Sequence, residues 1–215
     1  MLGAWDTRVA QGWKYCLGLA AAKHDVALHH TMRAVSHHHT MVTPNGKNIA
    51  EFTRALHRPM SCFLNTLLQR RGFDALDQVF DHRPTHRMRL LDCEAMVQQA
   101  MYQQMQNVES GRVRRPEEMP GCGFDFDLWL PGRTLEVRRP DVYFDPRTQP
   151  DVVRLNYTPP PELVVLFGGD YHRLVHAMKK QERETLAALH ERRRMQARAR
   201  GKRDRYRGAD AARNV

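Results

Sequence analysis

Residues 26–44 read VALHHTMRAVSHHHTMVTP, and the rest of the chain is best placed by working outward from them. Val26 and Leu28, then Met32 and Ala34, alternate roughly with other residues, and Pro44-Asn45-Gly46 closes the run with turn chemistry. The stretch predicts two strands, near 26–35 and 37–43, which need further structure beside them to be stable. Side chains alternate along a strand, so His37 and His39 share a face and His38 points away. Two same-face imidazoles make half of a divalent-metal site. Neutral imidazole suits zinc, iron, nickel and manganese, and magnesium less strongly. The plain alternative is that this cluster and the preceding His29-His30 are surface residues or hydrogen-bonded members of the core.

On either side the pattern turns helical. Trp13, Leu17 and Ala20, with Tyr15, Cys16 and Leu19 beside them, predict a helix over 10–23. Ile49, Phe52, Leu56, Phe63 and Leu67, with Met60 and Leu64, form one apolar stripe over 48–70. Pro59 is expected to kink or divide that helix, and Gly72 to stop it. Val79-Phe80 and Met88-Arg89-Leu90 read as short strands around a turn at Pro84. Asp92 is a good N-cap for a helix over 93–108 that buries Met96, Val97, Met101 and Met105.

From 116 onward Pro and Gly are dense and periodicity lapses, with Phe124–Leu130 and Val152–Leu155 as candidate strands. The expected organisation is a core domain over 1–115, an irregular appendage wrapping it over 116–169, and a basic helical tail over 170–215 whose end is disordered. Residues 179–207 hold twelve Lys/Arg against four Asp/Glu. The fold class is α+β, a small antiparallel sheet with packed helices.

The formal charge of +10 favours a polyanionic partner, nucleic acid or an anionic membrane. Cys16, Cys62, Cys93 and Cys122 lie far apart with no CxxC pair, which argues against a disulfide framework or a cysteine zinc site. No signal peptide and no membrane span is legible, so the expected location is cytoplasmic, near the nucleoid.

A second chemical feature lies in QQAMYQQMQN, residues 98–107. Gln98, Tyr102 and Gln106 recur at i, i+4 and i+8 on one polar stripe opposite the methionines. A tyrosine on a glutamine-lined face is an unusual packing residue, although an amphipathic tyrosine at a domain edge is the bland reading. A phenol can act as a nucleophile where a metal or base offsets its high ordinary pKa. Gln106, one turn on, could lend a neutral oxygen to a metal.

In their order these pieces resemble the single-tyrosine HUH transposases, specifically the REP-associated tyrosine transposase relatives. Ala34-Val35-Ser36-His37-His38-His39-Thr40 matches the family's MSNHHHT phrase. Glu51-Phe52-Thr53-Arg54-Ala55-Leu56-His57-Arg58, running to Leu64-Asn65, matches its EFMRxLHR helix. Tyr102 stands four residues before Gln106-Asn107-Val108, where the family places its nucleophile before NPV. Arg139-Pro140-Asp141-Val142-Tyr143-Phe144 and Pro159–Pro161 resemble the subgroup's later segment, so the likeness covers about residues 10–165.

The resemblance implies an HUH or ferredoxin-like sheet and a 5′-phosphotyrosine intermediate formed through Tyr102. It also implies Mg2+ or Mn2+ held by His37, His39 and Gln106, a single-stranded DNA hairpin as substrate, and a homodimer. Arg54, Arg58, Arg87 and Arg89 are the expected phosphate-binding residues. The chain departs from the family in three places: the usual first strand is missing or weak, Ser36 stands for Asn, and Asn107 stands for Pro. Two other functions fit the same residues: a non-catalytic DNA-binding derivative, and a metal-dependent hydrolase that activates water.

Overall fold

A computed structural model of the chain describes residues 6–34, 36–80, 85–119 and 123–211, with side chains as far as Ala199. The protein is α+β, with five helices and two separate two-stranded antiparallel sheets among the described residues. Among the described residues no helix is long and apolar enough to cross a membrane.

Helix α1 spans Thr7–His24. Asp6 caps its start by accepting from the Arg8 amide, and Asp25 in the left-handed region ends it. Trp13, Cys16, Leu17 and Ala20 are buried against the long helix α2, Ile49–Gln69, whose buried stripe is Phe52, Leu56, Met60, Phe63 and Leu67. The helices meet so closely at Gly12 that a Cβ there would lie 2.1 Å from the Phe63 ring. The break expected at Pro59 does not occur, because α2 runs on through it. A proline costs a helix one hydrogen bond, and the buried stripe on both sides of Pro59 keeps the two halves together.

Strands β1 (Val26–Arg33) and β2 (His38–Pro44) pair antiparallel, with Met32 opposite His39 and an irregularity between Leu28 and His30. β1 is buried along nearly its whole length rather than alternating. The cause is the segment after residue 116. The Trp129 indole donates to the His29 carbonyl at 2.7 Å, Thr158 N–H donates to the Leu28 carbonyl at 2.9 Å, and Tyr157 bridges Leu28 in parallel. Strand β1 is therefore covered on its second face, and a strand buried on both faces loses its period of two.

Of the four short strands expected beyond the hairpin, three do not form among the described residues. Val79-Phe80 and Met88–Leu90 form no strand, and Pro84 lies outside the described residues. Phe124–Leu130 is not extended either: Phe126–Trp129 is a 3-10 turn capped by Asp125, which lets Phe126 and Trp129 both point into the core. Val152–Leu155 is a strand, β4, and pairs with β3, Leu135–Arg138. Phe124, Phe126, Trp129, Val142, Phe144, Leu155 and Tyr157 share one apolar cluster with α1, α2 and β1, so residues 116–169 help build the core itself.

Helix α3, Cys93–Glu109, begins at Asp92, whose carboxylate accepts from the Ala95 amide at 2.7 Å. The short helix α4, Pro161–Leu166, leads to α5, Tyr171–Ala211. Leu189 of α5 joins Met105, Val108, Val113 and Met119 in a second apolar cluster. Arg193 donates to the Val108 and Glu109 carbonyls, which satisfies the end of α3 and binds α5 to it.

Candidate functional site

The position of α3 is set by buried polar groups. His30 on β1 is fully buried, and its ring nitrogens lie 2.9 Å from Gln103 Oε1 and 3.1 Å from Gln104 Oε1. The Gln104 amide nitrogen donates in turn to the Phe124 carbonyl at 2.7 Å and to Glu182 of α5 at 2.6 Å. Asn107 donates to the Arg33 carbonyl at 3.2 Å. These bonds fix which face of α3 meets the hairpin. Each is expensive to break, because a buried polar group left unpaired bears its full desolvation cost. Burial holds the His30 pKa down to about 4, and a neutral ring carries a single N–H, so it donates to one of the two glutamine oxygens and the other contact is a hydrogen bond only with that amide turned to present its nitrogen. Asn107 thus has a side-chain bonding task that ties the last turns of α3 to the end of β1.

With Gln103, Gln104 and Asn107 turned to β1, the neighbouring stripe of α3 faces the start of β2. Tyr102 and Gln106 lie on it. The His39 and Tyr102 rings are 5.8 Å apart between centroids, the His37 and His39 rings 5.2 Å, and the Gln106 amide donates to the Tyr102 oxygen at 3.0 Å. The four residues singled out in sequence therefore meet at one place. Tyr102 is 47% exposed.

His38 turns the other way, as alternation requires. Its ring packs 4.3 Å from Trp13 and its Nε2 lies 2.8 Å from Nε2 of His57. Burial first, and then the neighbouring His57, His39 and His37, push its pKa down to about 3.

His39 Nε2 and Gln106 Oε1 are both buried and have no partner of good hydrogen-bond geometry among the described residues, although the Gln106 side chain is close enough to His39 to bond to it weakly. Burial, reinforced by His37, lowers the His39 pKa, while the Gln106 side chain opposes that shift. An imidazole nitrogen beside an amide oxygen is a donor set that a divalent cation can use in place of their mutual contact. No group of three or more His, Cys, Asp or Glu suited to a metal occurs among the described residues, so the third protein donor would be the Gln106 oxygen.

Of the four arginines expected to bind phosphate, Arg54 and Arg58 are exposed on α2 and line one cleft with His57. Arg87 and Arg89 are exposed on a segment without regular structure. The buried clasp of His30, Gln103, Gln104, Asn107 and Glu182 escaped the sequence reading. Its one legible trace was the number of amides on α3 that the apolar stripe does not need.

Comparison with family models, with curated proteins and with solved structures gives no match.

Proposed function

We propose that this chain is a transposase-like single-stranded DNA endonuclease and strand transferase of the HUH kind, with Tyr102 as nucleophile. The observation that carries the reading is the meeting of His37, His39, Tyr102 and Gln106, contributed by a hairpin and a helix far apart in the chain. His39 Nε2, Gln106 Oε1 and the His37 ring would hold a divalent ion, Mg2+ or Mn2+. Such an ion supplies charge neutralisation on the scissile phosphate.

The chain's own residues do the rest. The Gln106 amide holds the Tyr102 hydroxyl in place. Its oxygen attacks phosphorus, forming the Tyr102 Oη–P bond as the bond from phosphorus to the 3′ oxygen breaks. The phenol gives up its proton, and the departing oxygen gains one and becomes a free 3′ hydroxyl. The 5′ phosphate stays on Tyr102, and the reverse attack by a 3′ hydroxyl rejoins a strand. Arg54, Arg58, Arg87 and Arg89 supply positive charge for backbone phosphates. In this reading the hairpin β1–β2 belongs to an HUH-like sheet, and the enzyme works in the cytoplasm near the nucleoid, as a homodimer.

The test is incubation with labelled single-stranded hairpins from the flanks of its own gene, in manganese or magnesium, followed by a denaturing gel. A labelled species at the mass of protein plus DNA supports the proposal. Cleavage with no such species, or no cleavage on any flank, overturns it.

A further inference from the structure

A second site lies on the opposite side of β2 from Tyr102. Arg54, His57, Arg58, Ser61 and Asn65 fall along one stripe of α2, beside the apolar stripe that faces the core. The segment after α2 is fastened over this stripe at two points. The Asn65 amide donates to the Leu76 carbonyl at 2.9 Å while the Leu76 N–H donates back to Asn65 Oδ1 at 3.0 Å. Further on, the Phe80 ring stacks on His57, 4.2 Å between centroids and 11° from parallel. Between the fastenings is a cleft of about 370 Å³.

Its lining is mixed in a particular way. Arg54 and Arg58 are exposed, one helical turn apart, and among the described residues neither has a carboxylate partner. Phe80, Val79 and Leu76 offer an apolar wall. Gln78 and Asp77, both exposed, carry donor and acceptor groups. A simple anion would need the arginines and have no use for the aromatic wall, and Asp77 would repel it. An apolar ligand would leave two guanidiniums idle. A nucleotide uses all three: an anion for the arginines, a flat face for the ring stack, and polar edges for Gln78 and Asp77.

We propose that this cleft binds one unpaired nucleotide of a single-stranded nucleic acid, its phosphate between Arg54 and Arg58 and its base against the Phe80–His57 stack. The inference rests on the nucleic-acid reading above and extends it. The His38–His57 contact ties the cleft to β2, which bears His39 and begins just after His37, so a nucleotide held there fixes the path of a nucleic-acid strand whose scissile phosphate is at Tyr102.

The experiment is photocrosslinking of the full chain with short oligonucleotides that carry one iodinated pyrimidine, in DNA and RNA versions, followed by peptide mapping. The expected crosslink falls within residues 76–80. Thymidine monophosphate should compete for it at least about tenfold better than thymidine or inorganic phosphate, because only the nucleotide engages both halves of the cleft. Arg54→Ala with Arg58→Ala, and separately Phe80→Leu, which keeps apolar bulk but removes the ring face, should each cut the crosslink by about tenfold or more. A DNA or an RNA preference would decide which strand the site takes, and either supports it. A crosslink that maps elsewhere, or inorganic phosphate competing as well as the nucleotide, overturns it. Tyr102→Phe should crosslink normally. An intact crosslink with no covalent adduct from the wild type would defeat the nuclease reading alone, and an adduct without the crosslink would defeat the cleft alone.

Discussion

Gln106 donates its amide N–H to the Tyr102 oxygen at 3.0 Å, and its own carbonyl oxygen is buried on the side of His39 with no well-formed hydrogen bond among the described residues. One side chain thus orients the proposed nucleophile with its nitrogen and offers its oxygen to a cation. The geometry is a consequence of helical spacing, since residues four apart lie one above the other.

Tyr102→Phe removes one oxygen and little volume from a half-exposed side chain. Unfolding free energy should change by no more than about 1 kcal/mol, the net value of one hydrogen bond. Covalent adduct and cleavage should vanish together on a denaturing gel. Cleavage that persists in the variant would mean that activated water, not the phenol, attacks the phosphate.

Metal binding should need both histidines. His37→Ala with His39→Ala should abolish manganese binding in a calorimeter while circular dichroism stays unchanged, because His37 is exposed and His39 half-buried. Gln106→Glu, which puts a carboxylate where the neutral oxygen stands, should instead tighten manganese binding. Equal heats from the wild type and the double variant would remove the metal from the proposal.

Stability should fall in mild acid. Burial lowers the pKa of His29, His30, His38 and His57 in the folded chain, to about 4 for His30 and about 3 for His38. The unfolded chain binds these protons near the ordinary histidine value of about 6.5. Their contribution is therefore complete above that pH and is lost as pH falls from there towards the folded values. His30 alone accounts for on the order of 3 kcal/mol across that window. Urea midpoints measured from pH 7.5 down to 4.5 should decline steadily, and a flat profile would contradict the burial of these rings.

Gly12→Ala should cost about 1–3 kcal/mol or more, the usual penalty of overpacking, because the new methyl meets the Phe63 ring in the middle of the α1–α2 contact. Paired with Phe63→Leu, part of the loss should return. Thermal melts of the single and double variants measure both.

Truncation after Ala199 tests the basic end of α5 and keeps Glu182, Leu189 and Arg193 in the chain. A cut at 179 would also remove Glu182, Leu189 and Arg193, which hold α3. The shorter deletion takes away six Lys/Arg and two Asp. It should weaken binding to unrelated oligonucleotides alike and flatten the salt dependence, as expected for phosphate contacts. Loss for one sequence only would make the tail a reader of bases.

The amino-acid sequence by itself determined the features that repeat with a local period. The apolar stripes of α1, α2 and α3, the Asp92 cap, the strand pair and the shared face of His37 and His39 all follow from spacing along a few turns or a single strand. What only the tertiary structure decided involves partners distant in the chain. His30 meets Gln103 from 73 residues away, and that bond, with Gln104 and Asn107, chooses which stripe of α3 faces His39. Trp129 reaches back 100 residues to His29 and buries the second face of β1, so alternation there had no outward face to report. Phe124–Leu130 is apolar enough for a strand, but it folds as a 3-10 turn because packing both Phe126 and Trp129 inward outweighs its local preference. Periodicity records which side of an element is buried, and it carries no term for the element that does the burying.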